Sequence, residues 1–300
     1  MAINHKEILI KSLIKDFSIE TTPNVYAKYG NFADLLPKKN DVYVTYLPDQ
    51  NSENVVNTSK KLIEEGFNAI PHLPARTIQN NSELEKYIGS LSETAGCKQI
   101  LIIGGGGVQN GDIKSSMQVL ETDLISKYNF TSVGLAGHPE GNPDISQEEL
   151  DKAIIEKNKF AQNVDYKMYL ATQFFFEAYV FKAWEIHLEK LKNKLEIHAG
   201  IPGPASLKTL ISYATSCGIG NSIRFLSKQA LNITKLATAK NPDKLITDLA
   251  EYKDKNPSSK LNKLHFYAFG GIKKTSEWLN LISNSSLNIK DNNEFEPIQK

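Results

Sequence analysis

The chain has 300 residues, enough to bury a large core, and its 40% apolar and 23% charged residues are ordinary for a water-soluble globular protein. A net charge of +1, from 35 basic and 34 acidic side chains, gives no general attraction to nucleic acid or to an anionic membrane, so neither is expected as a partner. No apolar run approaches the roughly 20 residues of a membrane span, and Met1 to Phe17 mixes lysines with apolar residues instead of forming a signal-peptide core. Cys97 and Cys217 stand far apart, outside any C-x-x-C pair, and read as buried thiols in a reducing, cytoplasmic compartment.

In chain order, eight short apolar runs read as strands: Phe17–Thr21, Val42–Leu47, Asn68–Pro74, Gln99–Gly104, Ser132–Gly137, Tyr169–Phe176, Leu195–Ile201 and Lys263–Phe269. Amphipathic stretches lie between them. Val55–Gly66 is apolar at helical spacing and closes on a glycine. Ser82 with Glu85, and Ser146 with Glu149, have capping-box spacing. Strand–helix alternation repeated eight times predicts an α/β fold, a (β/α)8 TIM barrel formed by residues 1–300 as a single domain. A doubly wound sheet is the other option, but the first strand runs into Glu20–Pro23, with no glycine fingerprint. The gap between strands seven and eight holds about three helices' worth of chain, hence an extra helical excursion placed at Asn221–Glu251 and interrupted by Asn241-Pro242. Residues 284–300 read as a polar, frayed tail.

Barrels gather their chemistry at the C-terminal ends of the strands. Glu20 stands at the first exit, either as a general acid with a pKa raised by apolar surroundings or as a structural carboxylate paired with a cation. The third exit offers His72 and Arg76, the latter a planar fork suited to phosphate or carboxylate. The fourth is the glycine run 104–107, with Gly105 and Gly106 at its centre, where a ligand can approach the backbone closely. His138 and Glu140 follow strand five; Gln173 lies among Phe174, Phe175 and Phe176 on strand six, with the hydrogen-bonding edge of a heterocycle as a suitable partner. His198 is on strand seven, and His265 and Tyr267 on strand eight, with His265 read as early on its strand and away from the mouth. Four strand-borne histidines raise a metal site as an alternative, weakened by the lack of H-x-H on strand one. Lys167 and Lys263 sit at the wrong strand ends for Schiff-base chemistry.

The segments FSIETTP (17–23), PHLPART (71–77), VGLAGHPEGNP (133–143), ATQFFFE (171–177), GIPGP (200–204) and HFYAFGG (265–271) resemble, in the same order, those of methylenetetrahydrofolate reductases. The resemblance implies a (β/α)8 barrel in one-carbon metabolism that interconverts 5,10-methylenetetrahydrofolate and 5-methyltetrahydrofolate. Glu20 then matches the proton donor that opens the one-carbon bridge to an iminium. Gln173 matches the pterin ligand, joined by Phe175 and Tyr267 as substrate-binding residues. His72 matches a histidine near the flavin. The family's Arg-Gly-Asp element at the fourth exit is replaced by the glycine run, and the nearest acid is Asp112, so FAD loses its usual contact. HLPAR, GIPG and SIRFLSKQ (222–229) resemble a short, flavin-independent branch in which hydride passes directly from NADH or NADPH to the folate. Under that reading Arg76, Gly105, Gly106, His72, His138 and Glu140 are cofactor-binding candidates. The partners expected are the folate and the nicotinamide nucleotide, and self-association into a homo-oligomer is compatible with this chain. A folate-dependent methyltransferase or demethylase, or a non-catalytic folate-binding relative, remains an alternative on the same barrel.

Overall fold

The computed structural model describes residues 4–47, 51–106, 109–229 and 239–298. Its strands, in chain order, are β1 (Ser18–Thr21), β2 (Asp41–Val44), β3 (Asn68–Pro74), β4 (Gln99–Ile103), β5 (Ser132–Gly137), β6 (Lys167–Thr172), β7 (Glu196–Pro202), β8 (Ala205–Ser206), β9 (Ala239–Lys240), β10 (Leu261–Tyr267), β11 (Ser286–Ile289) and β12 (Phe295–Ile298). The helices are α1 (His5–Ile14), α2 (Pro23–Tyr29), α3 (Ser52–Glu64), α4 (Asn81–Gly89), α5 (Ser116–Leu120), α6 (Leu124–Lys127), α7 (Gln147–Phe160), α8 (Ala178–Lys190), α9 (Leu207–Ser216), α10 (Gly220–Gln229), α11 (Asp243–Lys255) and α12 (Ile272–Asn284).

β1 to β7 and β10 close into an all-parallel barrel in the order β1-β10-β7-β6-β5-β4-β3-β2. This is a (β/α)8 fold. Each strand is buried on two faces, which is why the runs read as near-continuous apolar stretches. Ile19, Val42, Ile100, Val133, Leu170, Ile197 and Phe266 face the helical ring, packed against residues such as Leu62, Ile88, Phe181 and Ile282. The interior is more polar than the branched aliphatic filling usual in such barrels. Tyr43 and Tyr169 meet inside it, hydroxyl to hydroxyl at 2.7 Å, packed with Ile70, Leu101 and Ala171.

Local signals explain the helix starts. The Ser146 hydroxyl accepts from Glu149 N while the Glu149 carboxylate accepts from Ser146 N, a reciprocal box. α4 is capped differently from the sequence expectation: Asn80 accepts from Glu83 N, and Glu83 accepts from Gln79 N, so the box lies two residues before Ser82–Glu85.

Two expectations are corrected. Tyr169–Phe176 is too long a strand: β6 stops at Thr172, where the Gln173 N–H still bonds Gly137 O, and Phe174–Phe176 belong to the loop above. The described part of the tail, residues 284–298, is not frayed. β11 and β12 form an antiparallel hairpin that buries Leu287 and Phe295, stacks Phe295 on Trp278 at 6.4 Å and anchors Phe295 N to Asp243 Oδ2 at 3.2 Å. Its polarity reflects an exposed turn beside the apolar anchors Leu287, Ile289 and Phe295.

Between β7 and β10 the described chain holds α9, α10, the short β8–β9 pairing and α11. α11 packs on α1 and α8 and belongs to the barrel's outer ring. The added material is therefore α9, earlier in the chain than the Asn221–Glu251 placement, and α10, which lies at that placement's start. Part of that placement, residues 230–238, lies outside the described residues, as does Gly107 of the glycine run. α9 and α10 carry their own apolar cluster, Leu207, Leu210, Ala214, Ile219 and Leu226, seated on Phe174 and Ala205.

Candidate active site at the barrel mouth

Four adjacent strands bring one carboxylate and two histidines together. Glu20, on β1, keeps 18% of its side chain exposed. Its Oε1 accepts from Thr45 Oγ1 at 2.8 Å, and its Oε2 lies 3.3 Å from His265 Nε2 and 3.7 Å from His72 Nε2. His265 is 1% exposed and His72 6%. The strand register explains the meeting: Ser18 pairs with His265, so the imidazole on β10 starts two residues below Glu20, on the same face, and reaches up to it. His265 is thus a member of the cluster, not a residue remote from the mouth. Its Nδ1 is 3.0 Å from Ser18 Oγ, and its ring packs on Tyr43 at 4.3 Å and on Tyr267 at 4.9 Å.

Of the two readings of Glu20, the electrostatics match a carboxylate paired with cations and not an acid with a raised pKa. Burial pushes the Glu20 carboxyl up, but the His265 hydrogen bond, the charges of His72 and His265 and the Thr45 hydroxyl outweigh it, and the pKa is lowered. Burial likewise keeps His72 below the ordinary imidazole value, opposed by Glu20 and assisted by His265. His72 Nε2 is buried with no hydrogen-bond partner among the described residues.

Gln173 sits just above the end of β6, with its Oε1 accepting from Phe174 N at 3.1 Å. It also reaches Cys217 at the end of α9: burial and the Glu20 charge push that thiol up, and a hydrogen bond with Gln173 opposes them. Cys217 is only half-buried, unlike Cys97. Tyr267 donates to Thr172 O at 3.0 Å, and its ring stacks on Phe269 and meets Phe174 edge-on. Phe175, expected at the substrate, is fully buried in the other direction, stacked on Phe181 in the helical ring. Phe174, the neighbour past the strand end, is the one turned toward Tyr267 and the α9–α10 cluster.

Across the mouth, Arg76 lies in the turn after β3. Its N–H bonds Gly104 O at 2.9 Å and its carbonyl accepts from Asn110 N at 2.8 Å. Arg76 Nε is buried without a hydrogen-bond partner among the described residues. A Cβ built on Gly104 or Gly106 would meet nothing within 4 Å, whereas Gly105 has φ +86° and a Cβ there would come within 3.0 Å of Pro74 Cβ. Asp112 is exposed, and its N–H bonds Gln79 O.

The strand-five pair separates. Glu140 accepts from Ser222 N at 3.0 Å and from the Ser222 hydroxyl, so it caps the start of α10 and ties that helix to the mouth. The carboxylate expected to hold a cofactor thus also serves as a helix cap. His138 is half-buried beside Lys157, and burial, then the Lys157 charge, brings it down to about 4. Lys157 itself, donating to Ala136 O at 3.1 Å, is brought down by burial to about 8. His198 lies deeper, stacked on Tyr169 at 4.0 Å inside the barrel. The four histidines therefore do not converge: two meet Glu20 and two do not.

Residues missed in the sequence are Ser18, Thr45, Cys217 and the role of His265. The last was readable: His265 and Tyr267 are two apart on one strand, so they share a face.

A solved structure described as an uncharacterized protein from Clostridium thermocellum that binds two copies of 5-methyl-5,6,7,8-tetrahydrofolic acid matches at a TM-score of 0.55, with 12% identity, over 91% of this chain and 96% of that one. A dihydropteroate synthase from Thermus thermophilus matches at 0.45 and 10% identity, covering 88% and 91%. A deoxyribose phosphate aldolase from Aeropyrum pernix matches at 0.40 and 11%, covering 92% and 98%. The family model described as methylenetetrahydrofolate reductase matches residues 21–268, from the last residue of β1 to just past the end of β10. This chain belongs to the methylenetetrahydrofolate reductase family.

Proposed function

We propose that the protein interconverts 5,10-methylenetetrahydrofolate and 5-methyltetrahydrofolate, with NADH or NADPH as the hydride partner and without FAD. The observation that carries the reading is the Glu20–His265–His72 cluster, a proton-holding group at the mouth of a barrel of this family. The folate bound by the Clostridium thermocellum protein supports the choice of ligand.

Ser18 Oγ lies 3.0 Å from His265 Nδ1 and 3.5 Å from Leu264 O; in the tautomer with the proton on Nδ1, the Ser18 oxygen accepts it. In the neutral imidazole the other nitrogen, Nε2, then has a lone pair facing Glu20. One proton is shared across the 3.3 Å contact, held either as imidazolium beside carboxylate or as imidazole beside carboxylic acid. The low pKa of Glu20 belongs to the first of these states. Glu20 protonates the folate ring nitrogen to open the one-carbon bridge, and His265 restores the proton. Gln173 hydrogen-bonds the heterocycle, and the Phe174–Tyr267–Phe269 wall excludes water above it.

A dinucleotide needs a cation and open backbone for its diphosphate. Arg76, with an unpartnered buried Nε, and Gly104 and Gly106, with open space where a Cβ would stand, fit that need. When bound, the nucleotide supplies the hydride. For FAD, the described part of the fourth exit offers no carboxylate to the Glu20 cluster.

The test is an anaerobic incubation of flavin-free protein with methylenetetrahydrofolate and each nicotinamide nucleotide, following nucleotide and folate together. Formation of 5-methyltetrahydrofolate without added FAD is expected. Glu20→Gln should lower turnover by about 10²–10⁴-fold while leaving folate binding near wild type. A Glu20→Gln enzyme of wild-type rate removes the acid role.

A further inference from the structure

The added helix α9 brings a thiol to the mouth and holds it there. α9 ends at Ser216 with Cys217 as its cap residue, and the turn closes with two bonds: Ile219 N to Ala214 O at 3.0 Å and Gly218 N to Thr215 O at 3.1 Å. Gly218 takes the left-handed conformation this cap requires, with φ +66°, and a Cβ there would stand 2.8 Å from Pro143 Cγ. The turn is therefore seated on the loop after β5. The same loop holds the start of α10, through Glu140 and Ser222. Cys217 lies between these two anchors, packed on the apolar cluster that includes Phe174.

The thiol meets the site at Gln173, and the Glu20 carboxylate is close enough to act on it. Gln173 Oε1 accepts from Phe174 N at 3.1 Å. An amide nitrogen in that place would set donor against donor, so the Gln173 NH2 turns to the sulfur, which accepts. One carbonyl lone pair and one N–H of the amide remain unused by these two contacts. They supply the acceptor and donor that a ring amide such as that of a pterin needs. The same mouth holds His72 Nε2, buried and without a hydrogen-bond partner among the described residues, a polar group that a ligand would complete.

We propose that Cys217 is a positioning residue: from α9 it holds the Gln173 amide in the orientation that reads the folate heterocycle. This rests on the folate reading of the mouth. An unheld glutamine amide rotates, and ordering it on binding costs affinity; the sulfur removes that cost in advance. The excursion between β7 and β10 is then part of the substrate site.

Two measurements on the full chain test this. Cys97, the chain's other cysteine, is fully buried, so iodoacetamide labelling read by intact mass reports Cys217. With 5-methyltetrahydrofolate at ten times its dissociation constant, labelling should slow by about tenfold, because the occupied site closes the thiol to the reagent. In equilibrium titration, Cys217→Ala should weaken 5-methyltetrahydrofolate binding about three- to tenfold and leave NADH and NADPH binding unchanged. Cys217→Ser keeps an acceptor at the same place and should restore most of the affinity. A purely packing role predicts the reverse order, since alanine replaces a thiol against Phe174 better than a hydroxyl does. Wild-type folate affinity in Cys217→Ala, weaker binding by Cys217→Ser than by Cys217→Ala, or labelling that folate leaves unchanged overturns the positioning role. A wild type that binds no folate overturns the mouth reading and this proposal with it, so the two failures are distinguishable.

Discussion

The two sides of the barrel mouth are built on opposite terms. On the β10–β1–β2 side, the polar groups answer one another: Ser18 holds His265, and His265 and Thr45 hold Glu20, while His72 Nε2 on β3 has no hydrogen-bond partner among the described residues. On the β3–β4 side, the backbone is pinned by Arg76 N to Gly104 O, yet Arg76 Nε has no partner among the described residues and Gly104 and Gly106 face open space. Buried polar groups are almost always paired, so an orphan guanidinium nitrogen beside an open glycine loop describes a half-site that a ligand completes. In the proposed function the two sides divide the labour: one holds the proton, and the other takes the nucleotide's diphosphate.

The comparison breaks first if the proton-holding side is made unable to titrate. His265→Gln keeps an amide donor near Glu20 but cannot pass a proton. It should cost about 10²–10⁴-fold in the single-turnover rate, with nucleotide affinity unchanged. The same change sharpens the pH argument. Against burial, the His265 hydrogen bond is the strongest influence lowering the Glu20 pKa. A depressed carboxyl pKa stabilises the fold above the unfolded-state value, and that contribution is lost as pH falls through the folded-state value. Weakening the bond raises the folded-state pKa, so the acid limb of the stability–pH curve should move to higher pH. An unmoved acid limb, read by chemical denaturation at a series of pH values, would separate His265 from Glu20.

The ligand-waiting side gives a smaller effect of a different kind. Removing a charge-assisted hydrogen bond to a phosphate costs about 1.5–3 kcal/mol. Arg76→Ala should therefore raise the KM for NADH or NADPH roughly 10- to 100-fold, while the KM for the folate and the fold's stability stay close to wild type. If the folate KM rises in its place, Arg76 serves the substrate and the division between the two sides is lost.

How much of this was legible follows from what periodicity can carry. Eight apolar runs in order gave the barrel, and the rule that barrels work at their strand exits gave Glu20, His72, Arg76 and Gln173. Contacts across the barrel were harder, because a strand's register against its neighbours has no local signature: Ser18 opposite His265 is a property of closure, not of either segment. Alternation failed where strands ended. Phe175 looked equivalent to its neighbours until β6 stopped at Thr172 and the loop turned it into the ring of helices. Composition misled at the C-terminus, where Leu287 and Phe295, with Ile289 partly buried beside them, anchor an otherwise polar hairpin. Glu140 could not have been assigned to α10 from sequence, since its partner Ser222 lies on a distant segment.

The smallest effect tests the glycine loop as architecture. Gly105 has φ +86°, a conformation that costs a residue with a Cβ of the order of 1 kcal/mol or more, and the new methyl would press on Pro74 at 3.0 Å. Gly105→Ala should lower stability by about 1–3 kcal/mol in urea. Gly106→Ala has neither burden, because its Cβ would meet nothing within 4 Å and its φ is not positive. It should leave stability within about 0.5 kcal/mol of wild type, the range of ordinary surface substitutions. If the loop cradles a diphosphate, Gly106→Ala should still weaken nucleotide binding, since the methyl occupies space the ligand needs. A Gly106→Ala protein with unchanged stability and unchanged nucleotide affinity would make the loop a plain turn, and would leave Arg76 to hold the anion alone.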